Sequence, residues 1–150
     1  DKVFEVINRG GDFNHGFTYS GHPVAAAVAL ENIRILRDEK IIETVRSETA
    51  PYLQQRLREL LDHPLVGEVR GVGMLGAIEL VKDKATRARY EGKGAGMICR
   101  GHCFNNGLIM RAVGDTMIIS PPLVISKAEI DELVTKARLC LDLTLKDLQG

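Results

Sequence analysis

The chain has 150 residues, 45% of them hydrophobic, with 20 Lys and Arg set against 20 Asp and Glu. That length buries a core of domain size, and zero formal net charge without a Lys/Arg block excludes the electrostatic footprint of a nucleic-acid or anionic-membrane binder. No apolar run is long enough to span a bilayer and no secretory leader is read, so the odd set Cys99, Cys103 and Cys140 predicts reduced thiols in the cytoplasm, with small molecules and protein as partners.

In chain order, Asp1-Lys2-Val3-Phe4-Glu5-Val6-Ile7 reads as an amphipathic helical turn without an initiator methionine, so the numbering begins inside a folded element. Ala26, Ala29, Leu30, Ile33 and Leu36 then space out one helix whose first two turns are apolar or small on every side; such a helix is expected to be core. The charged patch Arg37 to Lys40 is the candidate boundary, dividing the chain into 1–37 and 38–150. A second helix carries Ile42, Val45, Thr49, Leu53, Leu57 and Leu60 on one face, with a kink expected where Pro51 removes a donor and crowds the carbonyl of Ser47. His63-Pro64 ends it.

Two β-type runs follow, Val66 to Val72 and Met74 to Val81, pivoting on Gly71 and Gly73. A charged loop from Lys82 to Glu91 leads into a helix stopped by Asn106-Gly107. Leu108 to Val113 and Met117 to Ser120 read as strands paired across a Gly114-Asp115 turn. The last helix opens on the capping box Ser126-Lys127-Ala128-Glu129, with Ile130, Leu133, Val134, Ala137, Leu141 and Leu145 as its inner stripe. The fold class is therefore α+β: a short, mostly antiparallel sheet covered by helices.

Three constellations imitate chemistry. Gly71-Val72-Gly73-Met74-Leu75-Gly76 fits a dinucleotide fingerprint, but strand rather than helix follows it and no acidic residue stands about twenty positions on. Cys99, His102 and Cys103 share one helical turn without a fourth zinc ligand, which favours partly buried helix positions. Gly92-Lys93-Gly94-Ala95-Gly96 has glycines without the spacing or Ser/Thr of a phosphate loop.

Two features keep a functional reading. In His15-Gly16-Phe17-Thr18-Tyr19-Ser20-Gly21-His22-Pro23, hydroxyls and a helix-starting proline precede an apolar helix, an arrangement that attracts a phosphate to the free N–H groups and positive dipole end, with Thr18 or Ser20 as a further ligand. The duller alternative for Thr18 is a helix cap. In Leu108-Ile109-Met110-Arg111-Ala112, alternation sets Arg111 with Ile109 on one face, and the planar guanidinium there suits a carboxylate. Its alternative is an edge-strand arginine paired with Asp115 or Glu79. None of the lysines stands in the desolvated setting that would lower its pKa for covalent catalysis.

The His15 to Pro23 run resembles a segment of the class III pyridoxal-phosphate aminotransferases, the omega-transaminase group. Val69-Arg70-Gly71-Val72-Gly73-Met74-Leu75-Gly76-Ala77-Ile78-Glu79-Leu80, Gly107 to Arg111 and Ser120-Pro121-Pro122-Leu123 match it in order. The resemblance covers nearly the whole chain, which corresponds to a C-terminal third, and its wording is nearest the branch acting on putrescine and other polyamines with pyruvate. It implies an α/β parent of PLP-transferase fold type I, in which 1–37 end the large cofactor-binding domain and 38–150 form the small domain. It further implies pyridoxal 5'-phosphate as cofactor and amine and keto-acid substrates. By the same resemblance Thr18, with the Phe17 N–H as a second donor, is expected to bind the cofactor phosphate of a neighbouring subunit, and Arg111 to bind the substrate carboxylate. The Schiff-base lysine lies upstream, so no catalytic residue is assigned in this chain. A homodimer, often doubled to a tetramer, is the implied assembly. The alternatives are an aminomutase, racemase or decarboxylating transaminase on the same scaffold, or a non-catalytic folded fragment.

Overall fold

A computed structural model of the chain describes residues 2–11, 15–92 and 94–150; Asp1 and Lys93, part of two segments read above, lie outside the described residues. The backbone divides into two units, Asp1–Asp38 and Glu39–Gly150. Among the described residues no helix is long and apolar enough to cross a membrane.

The first unit holds α1 (Lys2–Arg9) and α2 (Pro23–Asp38). Arg34 ties down the last turns of α2, bonding Glu31 at 2.6 Å and Asp38 at 2.7 Å, spacings that place these side chains side by side on a helix. The expectation that α2 is core is corrected: none of its residues is buried, and Leu30 is 69% exposed. A helix that is apolar all round needs neighbours on every side, and the described part of this unit offers only the eight-residue α1 besides.

Near the start of the second unit Lys40 takes the left-handed conformation, φ 51°, and α3 (Ile41–Thr44) follows. The kink expected near Ser47 takes the form of a π-helical turn, Val45–Thr49, before α4 (Ala50–Arg58) and a 3-10 turn, Glu59–Asp62. The Ala50 N–H reaches back five residues to the Val45 carbonyl. Widening the turn gives the Pro51 ring room without breaking the chain's helical course, and Pro51 falls in the first turn of α4, where its missing donor costs least.

The sheet is antiparallel throughout, in the order β1-β2-β4-β3, from β1 (Val66–Val72), β2 (Leu75–Leu80), β3 (Arg111–Val113) and β4 (Thr116–Ile119). Gly73, φ +58°, makes the β1–β2 turn. One face of the sheet packs on helices: Ile78, Leu80, Met117 and Ile119 are buried with Leu53, Leu57 and Leu60, and with Ile130 and Leu141 of α6 (Lys127–Gln149). Residues alternating with these, Arg70, Val72 and Leu75, are exposed on the opposite face, as period-two geometry requires.

The strand expected from Leu108 forms ladder bonds only from Arg111. With Arg111 opposite Ile118, the same register would set Met110 against Ile119, Ile109 against Ser120 and Leu108 against Pro121, whose missing backbone donor prevents the ladder from reaching Leu108. The capping box of α6 is present, with the Glu129 N–H donating to Ser126 Oγ at 3.2 Å and the Ser126 N–H donating to Glu129 Oε2 at 2.8 Å. Its inner stripe departs from expectation near the end: Thr144 and Leu148 are buried and Leu145 is only half-buried. Thr144 fits because its hydroxyl donates to the Cys140 carbonyl at 2.6 Å, removing the penalty of burying it. The helix α5 (Ala95–Asn105) lies against α6 and ends at Gly107, φ +69°.

Candidate functional site

Thr18 stands in a tight turn ahead of α2. The Ser20 N–H donates to the Phe17 carbonyl at 2.9 Å, the His22 N–H to the Tyr19 carbonyl at 3.1 Å, and Gly21 takes φ +77°. The Phe17 and Tyr19 rings stack with centroids 5.9 Å apart. Thr18 is exposed, and among the described residues its hydroxyl makes no hydrogen bond; the capping alternative is not realised. Ser20 behaves differently, because its Oγ accepts the Phe17 N–H at 3.1 Å. The Phe17 N–H, expected as a second phosphate donor, is thus bonded within the turn to Ser20 Oγ in this structure. It closes a short side-chain loop in an exposed segment. The Ala26 N–H, in turn, is satisfied by the His22 carbonyl at 3.0 Å. An open hydroxyl next to a helix start whose proline comes first is a donor set that fits a phosphate.

Arg111 opens β3, the edge strand. Burial alternates around it as predicted: Leu108 and Met110 are buried, whereas Ile109, Arg111 and Val113 are exposed on the other face. The alternative pairings also have definite answers. Glu79 is held by Arg70 at 2.8 Å and Arg89 at 3.6 Å, and these guanidinium groups, Arg70 first, keep its carboxyl below the usual range. Asp115 accepts the Gly96 N–H on Oδ1 at 3.0 Å. Neither carboxylate is bonded to Arg111, and among the described residues no other ion pair involves it. Its five donors are open to a planar carboxylate.

The imitating constellations resolve on geometry. Gly76 lies inside β2 and opens no helix. The start of α5, after left-handed Gly94, takes the Asp115 carboxylate where a phosphate would sit. His102 bonds Asp147 at 2.8 Å and is partly exposed, while Cys99, Cys103 and Cys140 are buried. The hydrogen bond to Cys99 and burial push the Cys103 thiol up, and burial does the same to Cys140. Sequence reasoning missed the contact between Asp115 and Gly96, whose only local sign was a Gly-Asp pair following an edge strand.

The turn thus leaves the Thr18 hydroxyl open, and the edge strand leaves the Arg111 guanidinium open, among the described residues. A class III aminotransferase family model matches residues 1–141, and the chain belongs to that family. The chain is 74% identical over 144 residues to a putrescine--pyruvate aminotransferase of Pseudomonas aeruginosa, covering 96% of this chain and 32% of that protein. A mitochondrial gamma aminobutyrate transaminase of Solanum lycopersicum is 40% identical over 135 residues, 89% of this chain and 26% of that one. The crystal structure of the omega transaminase of Pseudomonas jessenii in complex with PMP superimposes with a TM-score of 0.85 at 38% identity, covering 98% of this chain and 32% of that chain. The chain thus spans about a third or less of the length of these relatives.

Proposed function

We propose that the protein containing this chain is a pyridoxal-phosphate-dependent aminotransferase that moves an amino group from an amine donor, putrescine or a similar polyamine, to pyruvate or a similar keto acid. The observation that carries the reading is the 74% identity to a putrescine--pyruvate aminotransferase across 96% of the chain. In this reading residues 1–37 end the large domain and residues 38–150 form the small one. The working unit is a cytoplasmic homodimer or a tetramer built from it, since a phosphate site completed by a neighbour requires a symmetric partner.

When bound, the cofactor supplies the electron sink and carries the amino group between the two substrates. This chain supplies binding and orientation. The Thr18 hydroxyl donates to the cofactor phosphate of the partner subunit, aided by the positive end of α2, and the Phe17 N–H joins it by exchanging its bond to Ser20 Oγ for the more strongly charged acceptor. Arg111 receives the acceptor's carboxylate in a two-point fork, so the keto carbon is presented in one orientation. Ile109 and Val113, exposed on the same face of the strand, give the guanidinium an apolar surround that strengthens the pairing by displacing water.

Replacing Arg111 with alanine in the full-length enzyme tests this. Arg111 is exposed and without a partner among the described residues, so folding stability stays within about 0.5 kcal/mol of wild type. Hydrogen bonds to charged groups are worth about 1.5–3 kcal/mol, so kcat/KM for pyruvate falls about tenfold to 150-fold, while an uncharged aliphatic aldehyde acceptor is used nearly as before. Equal losses with both acceptors would remove Arg111 from substrate recognition.

A further inference from the structure

We infer that Asp115 and Gly96 form a clamp that sets the position of the Arg111 strand, making them positioning residues for carboxylate recognition. The inference rests on the reading of Arg111 above. The strand β3 is only three residues long, lies at the sheet edge and pairs with β4 alone among the described residues, with α5 packed beside it. A ladder that short constrains the strand weakly, so its course is set by what holds its two ends: Leu108 and Met110, buried in the core before it, and the turn joining it to β4 after it.

Asp115 ties that turn down at two points. Its carbonyl accepts the Leu80 N–H of β2 at 2.9 Å, and its carboxylate Oδ1 accepts the Gly96 N–H in the first turn of α5 at 3.0 Å. The second bond also places a negative charge at the positive end of α5. Contact between the two elements is closer than any side chain at position 96 allows, because a Cβ on Gly96 would stand 2.1 Å from the Gly114 carbonyl oxygen and 3.1 Å from Asp115 Cα. Gly114 itself takes φ +56°, so the turn backbone is shaped to present that oxygen at close range. On the same face of α5 as Gly96, at i+3 and i+7, Cys99 and Cys103 are buried in the core with Cys140 and Thr144 of α6. The edge strand is thereby referred to the core through α5.

Arg111 lies between an end of the strand fixed at buried Met110 and an end fixed by the turn at Gly114, so a displaced turn re-aims the arginine between them. A misplacement of about 1 Å is enough to cost a positioned group much of its effect. The glycine at 96 and the acid at 115 are separated by 19 residues, yet each is useful only with the other present.

The test uses the full-length holoenzyme with one amine donor held fixed and two acceptors, pyruvate and an uncharged aliphatic aldehyde. Asp115→Ala raises KM for pyruvate about tenfold, equivalent to about 1.4 kcal/mol, and leaves KM for the aldehyde within about twofold. Asp115→Asn, which keeps an Oδ acceptor, restores pyruvate use. Gly96→Ala displaces the turn from the other side and reproduces the pyruvate defect, and it carries the comparison if Asp115→Ala fails to fold. In an Arg111→Ala background, Asp115→Ala adds no further pyruvate loss. If Arg111→Ala is selective for pyruvate but the clamp variants affect both acceptors equally or neither, the clamp is overturned and the arginine reading stands. If Arg111→Ala is itself unselective, both readings fall.

Discussion

Leu57 and Gly76 form a matched pair of sizes whose coupling can be measured. Leu57 of α4 is fully buried, and its Cδ1 stands 2.4 Å from where a Cβ on Gly76 would be, with Ile119 Cγ2 at 3.1 Å from the same point. Ordinary carbon contacts lie at about 3.5–4.0 Å, so Gly76→Ala forces the Leu57 Cδ1 methyl to move by about 1 Å within a packed core and costs about 1–3 kcal/mol as overpacking. Leu57→Ala does the opposite, removing three carbon groups and leaving a cavity, for about 3–5 kcal/mol. In the double variant the new methyl enters the space that Leu57 vacated. The losses therefore fail to add, with a favourable coupling of about 1–3 kcal/mol. Urea unfolding of the four proteins by circular dichroism, with an unchanged denaturant slope as the check on two-state behaviour, measures that coupling directly. Losses that add to within about 0.5 kcal/mol would refute the packing argument.

Thr18→Ala should weaken cofactor affinity about tenfold to a hundredfold, the loss of one bond to a charged phosphate, with unfolding stability unchanged because its hydroxyl makes no hydrogen bond among the described residues. Mixing this variant with one lacking the upstream Schiff-base lysine should restore one site of wild-type affinity per mixed dimer if the threonine acts across the interface; mixed dimers without such a site would exclude that. The thiols of Cys99, Cys103 and Cys140 should be inert to a disulfide reagent at neutral pH until the protein is unfolded, when all three react, since all are buried and the Cys103 and Cys140 thiols are held up by their surroundings. Immediate reaction of any one of them in the native protein would contradict the buried cluster.

Much of this protein is legible in its sequence because the relevant forces act over a few residues. The Ser126–Glu129 capping box satisfies backbone donors within one turn, and Asn106-Gly107 stops α5 because glycine accepts a left-handed backbone at little cost. The alternation from Leu108 to Arg111 predicted which side of the strand meets the core even where ladder bonds are missing. Thr18 and Arg111 were legible locally as candidates, a hydroxyl ahead of a helix start and a lone arginine on an apolar strand.

Other features depend on what is brought alongside. Pattern alone made α2 a core helix, yet burial requires neighbours that the described part of the first unit does not supply. Pro51 announced a disturbance but not its form, since a π turn and a sharp kink relieve the same clash and packing around Ala50, Leu53 and Leu57 selects between them. Whether Arg111 was engaged turned on Arg70 and Arg89 holding Glu79 and on Gly96 holding Asp115, contacts across strands or between a helix and a hairpin. Local sequence carries the propensity of each segment, whereas the occupancy of a charged group is settled by partners distant in the chain, and only tertiary structure decides which partners those are.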